Sequence, residues 1–469
     1  MLSKLGVSTM HPWFLAGSTK VFVTYDPPHL IKNIRSHLKS QGFNTQNAHV
    51  DWCHIKAFYL LDSKSPIRLA PKLTVKHIYV PAFTGMRMYL ATQLLSHTVA
   101  AGICSMVRFK ILPQEALKTA DFIDKFDKLF DIFNSSTRLS GNAYKNPITH
   151  GCHQLEFLEQ LLPWLKTVQK PSAQKLLPCV EGWVIAIGCL RELWQDLHVN
   201  HGVQKLCTNR INQDSLENFF SMIRGKGEHR DNPDPVQFLA AYRALCVDSM
   251  FIQSKSSNCE EDFDTFVLKY ESFANQKQAH IDDCSRKSEC VPHSLKAADV
   301  QSLMSGCILT LPEQNTATYI AGYLVHKAKS RFNCDRCMDL LVISNCDIVK
   351  DDPRYVFVTE KKFCCDSKLV LPSDSMVRFV MLCERLFTEN FESIMHDTNV
   401  RKRLVSLAFQ CNEFQKIVCD NEPCNRLQLY LCSLYMTVRI CHAIKVQNRE
   451  FSHGKKQLKN RKMLKLKHE

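Results

Sequence analysis

Asp26 closes a short β-branched and aromatic run, KVFVTY over Lys20 to Tyr25, and is followed at once by Pro27, Pro28 and His29. A carboxylate at the end of a buried strand is placed to hold Mg²⁺ (or Mn²⁺), a cation that takes hard oxygen ligands and keeps positions open for phosphate oxygens. The same aspartate also suits the N-cap of the helix that the two prolines would open. His29 either orients Asp26 or lies on the surface.

A second pair of acids stands in NQDSLENFFSMIRGKG. Asp214 and Glu217 are three apart and share one side of a helix, away from the apolar face formed by Leu216, Phe219, Phe220 and Ile223. Both could point at one metal ion. Equally, Asp214 could support the helix N-terminus while Glu217 completes a capping arrangement. Asn212 is the expected N-cap and Gly225 the expected stop.

The third chemical signal is sulfur. Cys334 and Cys337 have the knuckle spacing of zinc sites, although no clean second pair follows. Cys346, Cys364, Cys365 and His326 are nearby, and Cys411, Cys419, Cys424, Cys432, Cys441 and His442 form a looser set. Buried free thiols are the competing explanation.

These residues have to be positioned by mostly helical elements. After Asp26 the periodicity gives a helix with Leu30, Ile31, Ile34 and Leu38 on one face and Lys32, Arg35 and Lys39 on the other, where Lys32 and Arg35 suit a phosphate backbone. Helical patterns dominate from Asp51 to Leu197, as in MYLATQLLSHTVAAGI, ADFIDKFDKLFDIF and HQLEFLEQLLPWL. Residues Ser254 to Ser305 are polar and read as a hinge. Three more helices follow, in ATYIAGYLVHKAKS, MVRFVMLCERLFTENFE and LQLYLCSLYMTVRICHAI.

Length and composition bound the function. A chain of 469 residues is long enough for several cores, and its 45% hydrophobic and 23% charged residues are ordinary for a globular protein. The N-terminus does not read as a signal peptide, and the most apolar stretch, Tyr89 to Val107, is interrupted by Gln93, Ser96 and His97, so no membrane role is expected. The 22 cysteines are then read as reduced thiols in a nuclear or cytosolic protein. A net charge of +14 and a basic end, Arg449 to Lys467, point to nucleic acid or an anionic membrane surface, or to a solvated or import-directing tail.

The blocks DPPHLIKNIR, QDSLENFFSMIRGKGEHRDNPDPVQFLAAYRAL, TYIAGYLVHK and LVLPSDSMVRFVMLCERLF resemble, in this order, those of the P element-type DNA transposases, the family that includes the THAP-containing transposases. The resemblance implies a mixed, mostly α fold. A partial RNase H-like α/β core (1–48, returning at 209–250) is interrupted by a large helical insertion that binds GTP (49–208). A polar linker (251–305) and a helical C-terminal region (306–469) follow.

It further implies cut-and-paste strand cleavage and transfer by three acids holding two divalent cations. Asp26 matches the family's second aspartate and Glu217 its glutamate, with Asp214 a weaker candidate. In the insertion, Lys72 matches a phosphate-binding lysine and Arg87 a second one. Phe130 matches the residue that stacks on the base, and Asp131 and Asn134 match those that read guanine. The expected partners are DNA, at transposon ends and target, and GTP, with a homo-oligomer in the nucleus. The family's first catalytic aspartate lies upstream of the strand matched by KVFVTY, so the chain as it stands is expected to be inactive. A domesticated, non-enzymatic DNA- or nucleotide-binding regulator is the alternative.

Overall fold

The computed structural model describes residues 2–9, 11–45, 48–79, 87–136, 140–171, 176–226, 233–247, 309–343, 349, 352–362, 369–411, 417–419 and 422–465. They divide into two compact units, one of Met1–Leu60 with Ala70–His293, the other of Leu61–Leu69 with Ser294–Glu469. The expected polar linker lies outside the described residues, as do the side chains of the basic end from Arg449 onward.

Unit 1 opens with a hairpin. Strand β1 (Trp13–Ala16) pairs antiparallel with β2 (Thr19–Phe22), Trp13 opposite Phe22. The run expected as a buried strand ending at Asp26 is therefore a half-buried, four-residue strand, and Thr24 and Tyr25 beyond it are exposed. An apolar run reads as a strand covered on both faces. Here Lys20 does part of the covering: its ammonium lies 4.4 Å from the Trp13 ring and 4.7 Å from the Phe22 ring, and bonds Glu192 at 3.1 Å.

Helix α1 (Pro27–Gln41) begins as the two prolines require and buries Leu30, Ile31, Ile34 and Leu38. It ends at Gly42, whose φ of +70° and whose approach to the Val50 carbonyl exclude a side chain. Arg35, expected on the polar face, is buried instead and donates to Ser36 at 3.3 Å. The reason is that α1 packs against α8 (Pro178–His201), α4 (Met88–Leu94) and α6 (Ala116–Phe133) together, so its covered stripe is wider than its hydrophobic repeat.

Strands β3 (Phe43–Thr45) and β4 (Ala48–Val50) form a second two-stranded antiparallel sheet, and α2 (Trp52–Asp62) and α3 (Val75–Ile78) follow. The segments Met88–Arg108 and Arg426–Asn448 are long and apolar enough by composition to cross a membrane. The first is divided into α4 and α5 (His97–Arg108) by Leu95 and Ser96, and most of it is buried against its neighbours. Phe122 of α6 anchors this core, stacked on Phe43 with ring centroids 5.1 Å apart and meeting Phe126 and Trp164 of α7 (His153–Leu165).

Helix α9 (Asp214–Lys226) packs on α10 (Pro235–Val247) through Ile223 and Ala241, flanked by Phe219, Met222 and Phe238. Leu216 and Phe220, assigned by spacing to the buried face, are exposed. The helix also starts two residues after Asn212 and runs through Gly225. Asn212 acts one step earlier, accepting from the Asp214 amide at 3.1 Å.

Unit 2 gathers helices Leu311–Lys329, Asp335–Leu341, Val356–Glu360, Asp374–Ile394, Val400–Gln410 and Glu422–Lys465 around one core. Glu313 completes a capping box with Thr310. At Gly322 the first helix comes so close to the following chain that a Cβ would sit 2.4 Å from the Val370 carbonyl oxygen. Ile67, from the short excursion Leu61–Leu69, belongs to this core, and Asp62 fixes the excursion by accepting from the Leu69 amide at 2.7 Å and from Arg68 at 3.0 Å. The described fold is thus mostly helical, with strands only in the two hairpins.

Candidate metal-binding site and nucleotide region

Two helix starts meet at Asp26. Its Oδ2 accepts from the His29 amide at 3.0 Å, capping α1, and lies 2.5 Å from His29 Nδ1. Its Oδ1 accepts at 2.9 Å from the amide of Gln213, the residue just before α9. The positive ends of both helices therefore point at this carboxylate, and the Asp26 side chain is only 5% exposed.

The first turn of α9 supplies Glu217, whose amide bonds the Gln213 carbonyl at 2.9 Å. His29 Nε2 faces Glu217 Oε1 at 3.6 Å. That is too long for a hydrogen bond. It suits two ligands of one cation: at metal–oxygen distances near 2.1 Å, neighbouring octahedral ligands are about 3.0 Å apart and opposite ones about 4.2 Å. Asp26, His29 and Glu217 each present a ligand atom, all within 4.8 Å of one another. One lone pair on Asp26 Oδ1 remains beyond its amide bond, so the donor set fits a divalent cation.

Asp214 is outside this set. Its carboxylate accepts from the Asn212 side chain at 3.0 Å and serves the turn into α9.

The residues assigned to the nucleotide fall in two places. Lys72 and Arg87 are exposed, Lys72 in a turn before α3 and Arg87 at the start of α4. Phe130 and Asp131 are buried near the end of α6, and Asn134 caps that helix by donating its amide to the Asp131 carbonyl. The Asp131 carboxylate accepts from Asn142 at 2.7 Å and pairs with Lys145 at 3.3 Å. One turn earlier on α6, Asp127 is pushed well above the usual carboxylate range, first by burial and then by the Asp131 charge. Asn142, Lys145 and Asp127 were not singled out by sequence. The signal available was the i, i+4 pair of acids in DKLFD, which needs a cation nearby.

The four cysteines Cys334, Cys337, Cys419 and Cys424 come together in unit 2, each within 4.8 Å of the others. Two loose groups in the sequence thus supply one cluster. His326 and Cys441 are exposed, and Cys346, Cys364 and Cys365 lie outside the described residues.

Three family models match the chain in order: the TNP-like GTP-binding insertion domain over residues 28–147, the TNP-like RNase H C-terminal domain over 209–243, and the C-terminal domain of DNA transposase THAP9 over 309–445. The Transposable element P transposase of Drosophila melanogaster is 26% identical over 99% of this chain and 58% of its own length. The human DNA transposase THAP9 is 23% identical over 86% of this chain and 45% of its own. Together these matches support kinship with the P element-type transposases.

It spans about half the length of the curated relatives it matches. A solved Drosophila P element transposase strand transfer complex is 30% identical, with a TM-score of 0.48 over 52% of this chain and 57% of that one. Within this chain, Lys72, Arg87, Phe130, Asp131, Asn142 and Lys145 all fall inside the GTP-binding insertion match, and Asp214 and Glu217 inside the RNase H match. The cysteine cluster falls inside the C-terminal match.

Proposed function

We propose that Asp26, His29 and Glu217 form the part of a DNA strand cleavage and transfer site that this chain contributes, and that the helical insertion binds GTP. The observation that carries the proposal is the meeting of Asp26 and Glu217, brought from opposite ends of unit 1 to one imidazole. Such chemistry needs carboxylates from distant segments, since Asp26 and Glu217 together would hold a divalent cation where neither could alone. When bound, Mg²⁺ or Mn²⁺ would supply Lewis acidity at the phosphate and lower the pKa of a bound water.

The residues of the chain itself do the positioning. Asp26 is held by two backbone amides, so its free lone pair has one direction. His29 fixes the Asp26 carboxylate from the other side, and Glu217, on the first turn of α9, closes the set. Two carboxylates are described where the family uses three, so we propose weak cation binding and little strand cleavage by the described residues alone. Asp214 remains tied to its turn and is proposed as a positioning residue for α9. Transposon-end and target DNA as substrates, a homo-oligomeric assembly and a nuclear location belong to the same reading.

The test is a Mn²⁺ titration followed by electron paramagnetic resonance. Glu217→Gln should abolish the bound fraction seen with the unaltered chain, and Asp214→Asn should leave it in place. Identical binding by the unaltered chain and Glu217→Gln would remove the proposal.

A further inference from the structure

We infer that Cys334, Cys337, Cys419 and Cys424 bind a structural zinc ion that clamps the beginning of the long C-terminal helix to the turn after helix Leu311–Lys329.

The cluster is assembled from two short-spaced pairs that are remote in sequence. Cys334 and Cys337 flank the start of helix Asp335–Leu341, where Cys334 occupies the N-cap and its carbonyl accepts from Met338 at 3.0 Å. Cys419 lies just before helix Glu422–Lys465 and Cys424 in its first turn. Cys337 and Cys419 are 82 positions apart, yet their sulfurs are 3.4 Å apart, and Cys334 Sγ is 3.8 Å from Cys419 Sγ.

These distances distinguish the possible states of the sulfur. A disulfide requires about 2.05 Å, and none of the four cysteines is in one. Four sulfurs around a tetrahedral Zn²⁺, each about 2.3 Å from it, are about 3.8 Å from one another. The cluster is close to those dimensions, with separations of 3.4 and 3.8 Å to Cys419 and all four sulfurs within 4.8 Å of one another. The Cys419 amide also donates to Cys337 Sγ at 3.4 Å, a bond that gains strength when the sulfur is a thiolate.

Packing alone is a poor explanation for four thiols at this spot. Elsewhere in unit 2, Cys383 and Cys432 also touch, but that is a two-sulfur contact deep in the core, with no third and fourth cysteine, histidine or acid gathered around it among the described residues. The present cluster instead lies where the starts of helices Asp335–Leu341 and Glu422–Lys465 meet, with Cys337 and Cys424 buried and Cys334 and Cys419 partly open to solvent, which gives a cation a route in. An all-sulfur set selects a soft or borderline ion over Mg²⁺. Four protein ligands leave no open position, so the role is structural and not catalytic. Next to it, the Phe332 and Tyr430 rings meet at 5.4 Å and Arg331 lies over Tyr430, joining the same two segments without metal.

The experiment uses the full chain, purified with reductant and dialysed free of loose metal. All five tryptophans, Trp13, Trp52, Trp164, Trp183 and Trp194, lie in unit 1, so their fluorescence reports on that unit alone, whereas helical circular dichroism reports on both. We expect a single equivalent of zinc by mass spectrometry of the metal, lost in the double variant Cys419→Ser with Cys424→Ser and retained in Glu217→Gln. Chelation should lower the dichroism melt while the fluorescence melt stays put. Replacement by Co²⁺ in the unaltered chain should give thiolate charge-transfer and tetrahedral d–d bands, a readout that does not depend on a variant folding. Zinc-free protein with four titratable thiols and a melt indifferent to chelator would overturn the inference. So would a disulfide within the cluster, an octahedral cobalt spectrum, or unchanged zinc in the double variant.

Discussion

Asp26 and Glu217 face the two nitrogens of one imidazole, Asp26 at 2.5 Å from His29 Nδ1 and Glu217 at 3.6 Å from His29 Nε2. The relationship is unequal. Asp26 is also the hydrogen-bonded tie between α1 and α9, whereas Glu217 is a third exposed and belongs to the mouth of the site. Asp26→Ala removes a helix cap and a second bond from the Gln213 amide and should cost unit 1 about 2 to 4 kcal/mol. Glu217→Gln should stay within about 0.5 kcal/mol. Urea unfolding followed by tryptophan fluorescence measures both, and equal losses would refute the asymmetry.

Guanine recognition by Asp131 would require the carboxylate to exchange partners with Asn142 and Lys145, since both already bond it. Guanine offers it two N–H donors and adenine does not, so Asp131→Ala should lower the preference for GTP over ATP. Lys72→Ala should weaken both nucleotides about equally, because phosphates are common to them. Calorimetry on the full chain decides the matter: no preference between the two nucleotides before mutation would leave Asp131 as a structural carboxylate of α6.

Asp127 sets a pH dependence of known sign. Its raised pKa means that the folded chain holds a proton which the unfolded chain releases near pH 3.9. The stability it contributes is complete below that value and is lost as pH rises toward its elevated folded pKa. Asp127→Asn, which cannot ionise, should flatten this part of the profile when fluorescence-detected urea midpoints are compared across that window. A profile unchanged by the substitution would place the proton elsewhere.

How far the sequence carries depends on the distance over which a residue finds its partners. Asp26 as an N-cap and Pro27 and Pro28 as a helix start are local, and both are legible in the motif. So are the long amphipathic helices, whose repeat survives any packing. The buried Arg35 was misread because α1 meets three helices, and the exposed Leu216 and Phe220 because α9 packs, among the described residues, mainly on α10; periodicity shows one face without showing which elements cover it. The cysteine pairs are the extreme case. Each knuckle is visible, but only folding tells that Cys337 belongs with Cys419. Asn142 and Lys145 escaped for the same reason, being loop residues whose role is set by a helix they do not belong to.

In unit 2, Glu384 is fully buried and ionically satisfied: Arg439 donates from Nε at 2.6 Å and from Nη2 at 2.8 Å, and the Tyr435 hydroxyl bonds the same carboxylate. Glu384→Ala leaves the buried guanidinium without its counter-charge and should cost about 3 to 5 kcal/mol. Replacing the pair together, by Glu384→Met with Arg439→Met, should recover much of that loss. Denaturation followed by circular dichroism tests this, and a double variant no better than the single one would speak against an ionic origin.

Gly322→Ala asks the Val370 backbone to retreat, since that carbonyl cannot rotate away as a side chain would. Overpacking of this kind should destabilise unit 2 by about 1 to 3 kcal/mol, against the small gain in helix propensity. The dichroism melt should fall while tryptophan fluorescence is unmoved.

The excursion Leu61–Leu69 has a consequence for synthesis. Ile67 is made early, within the stretch of chain that builds unit 1, but the core it enters consists of residues from Ala317 onward. On the ribosome this isoleucine must therefore wait, uncovered, until the C-terminal helices emerge. A fragment cut before Ala70 and one cut after it would share the work of a single core, and a protein expressed from Ser294 onward would lack the plug that closes it.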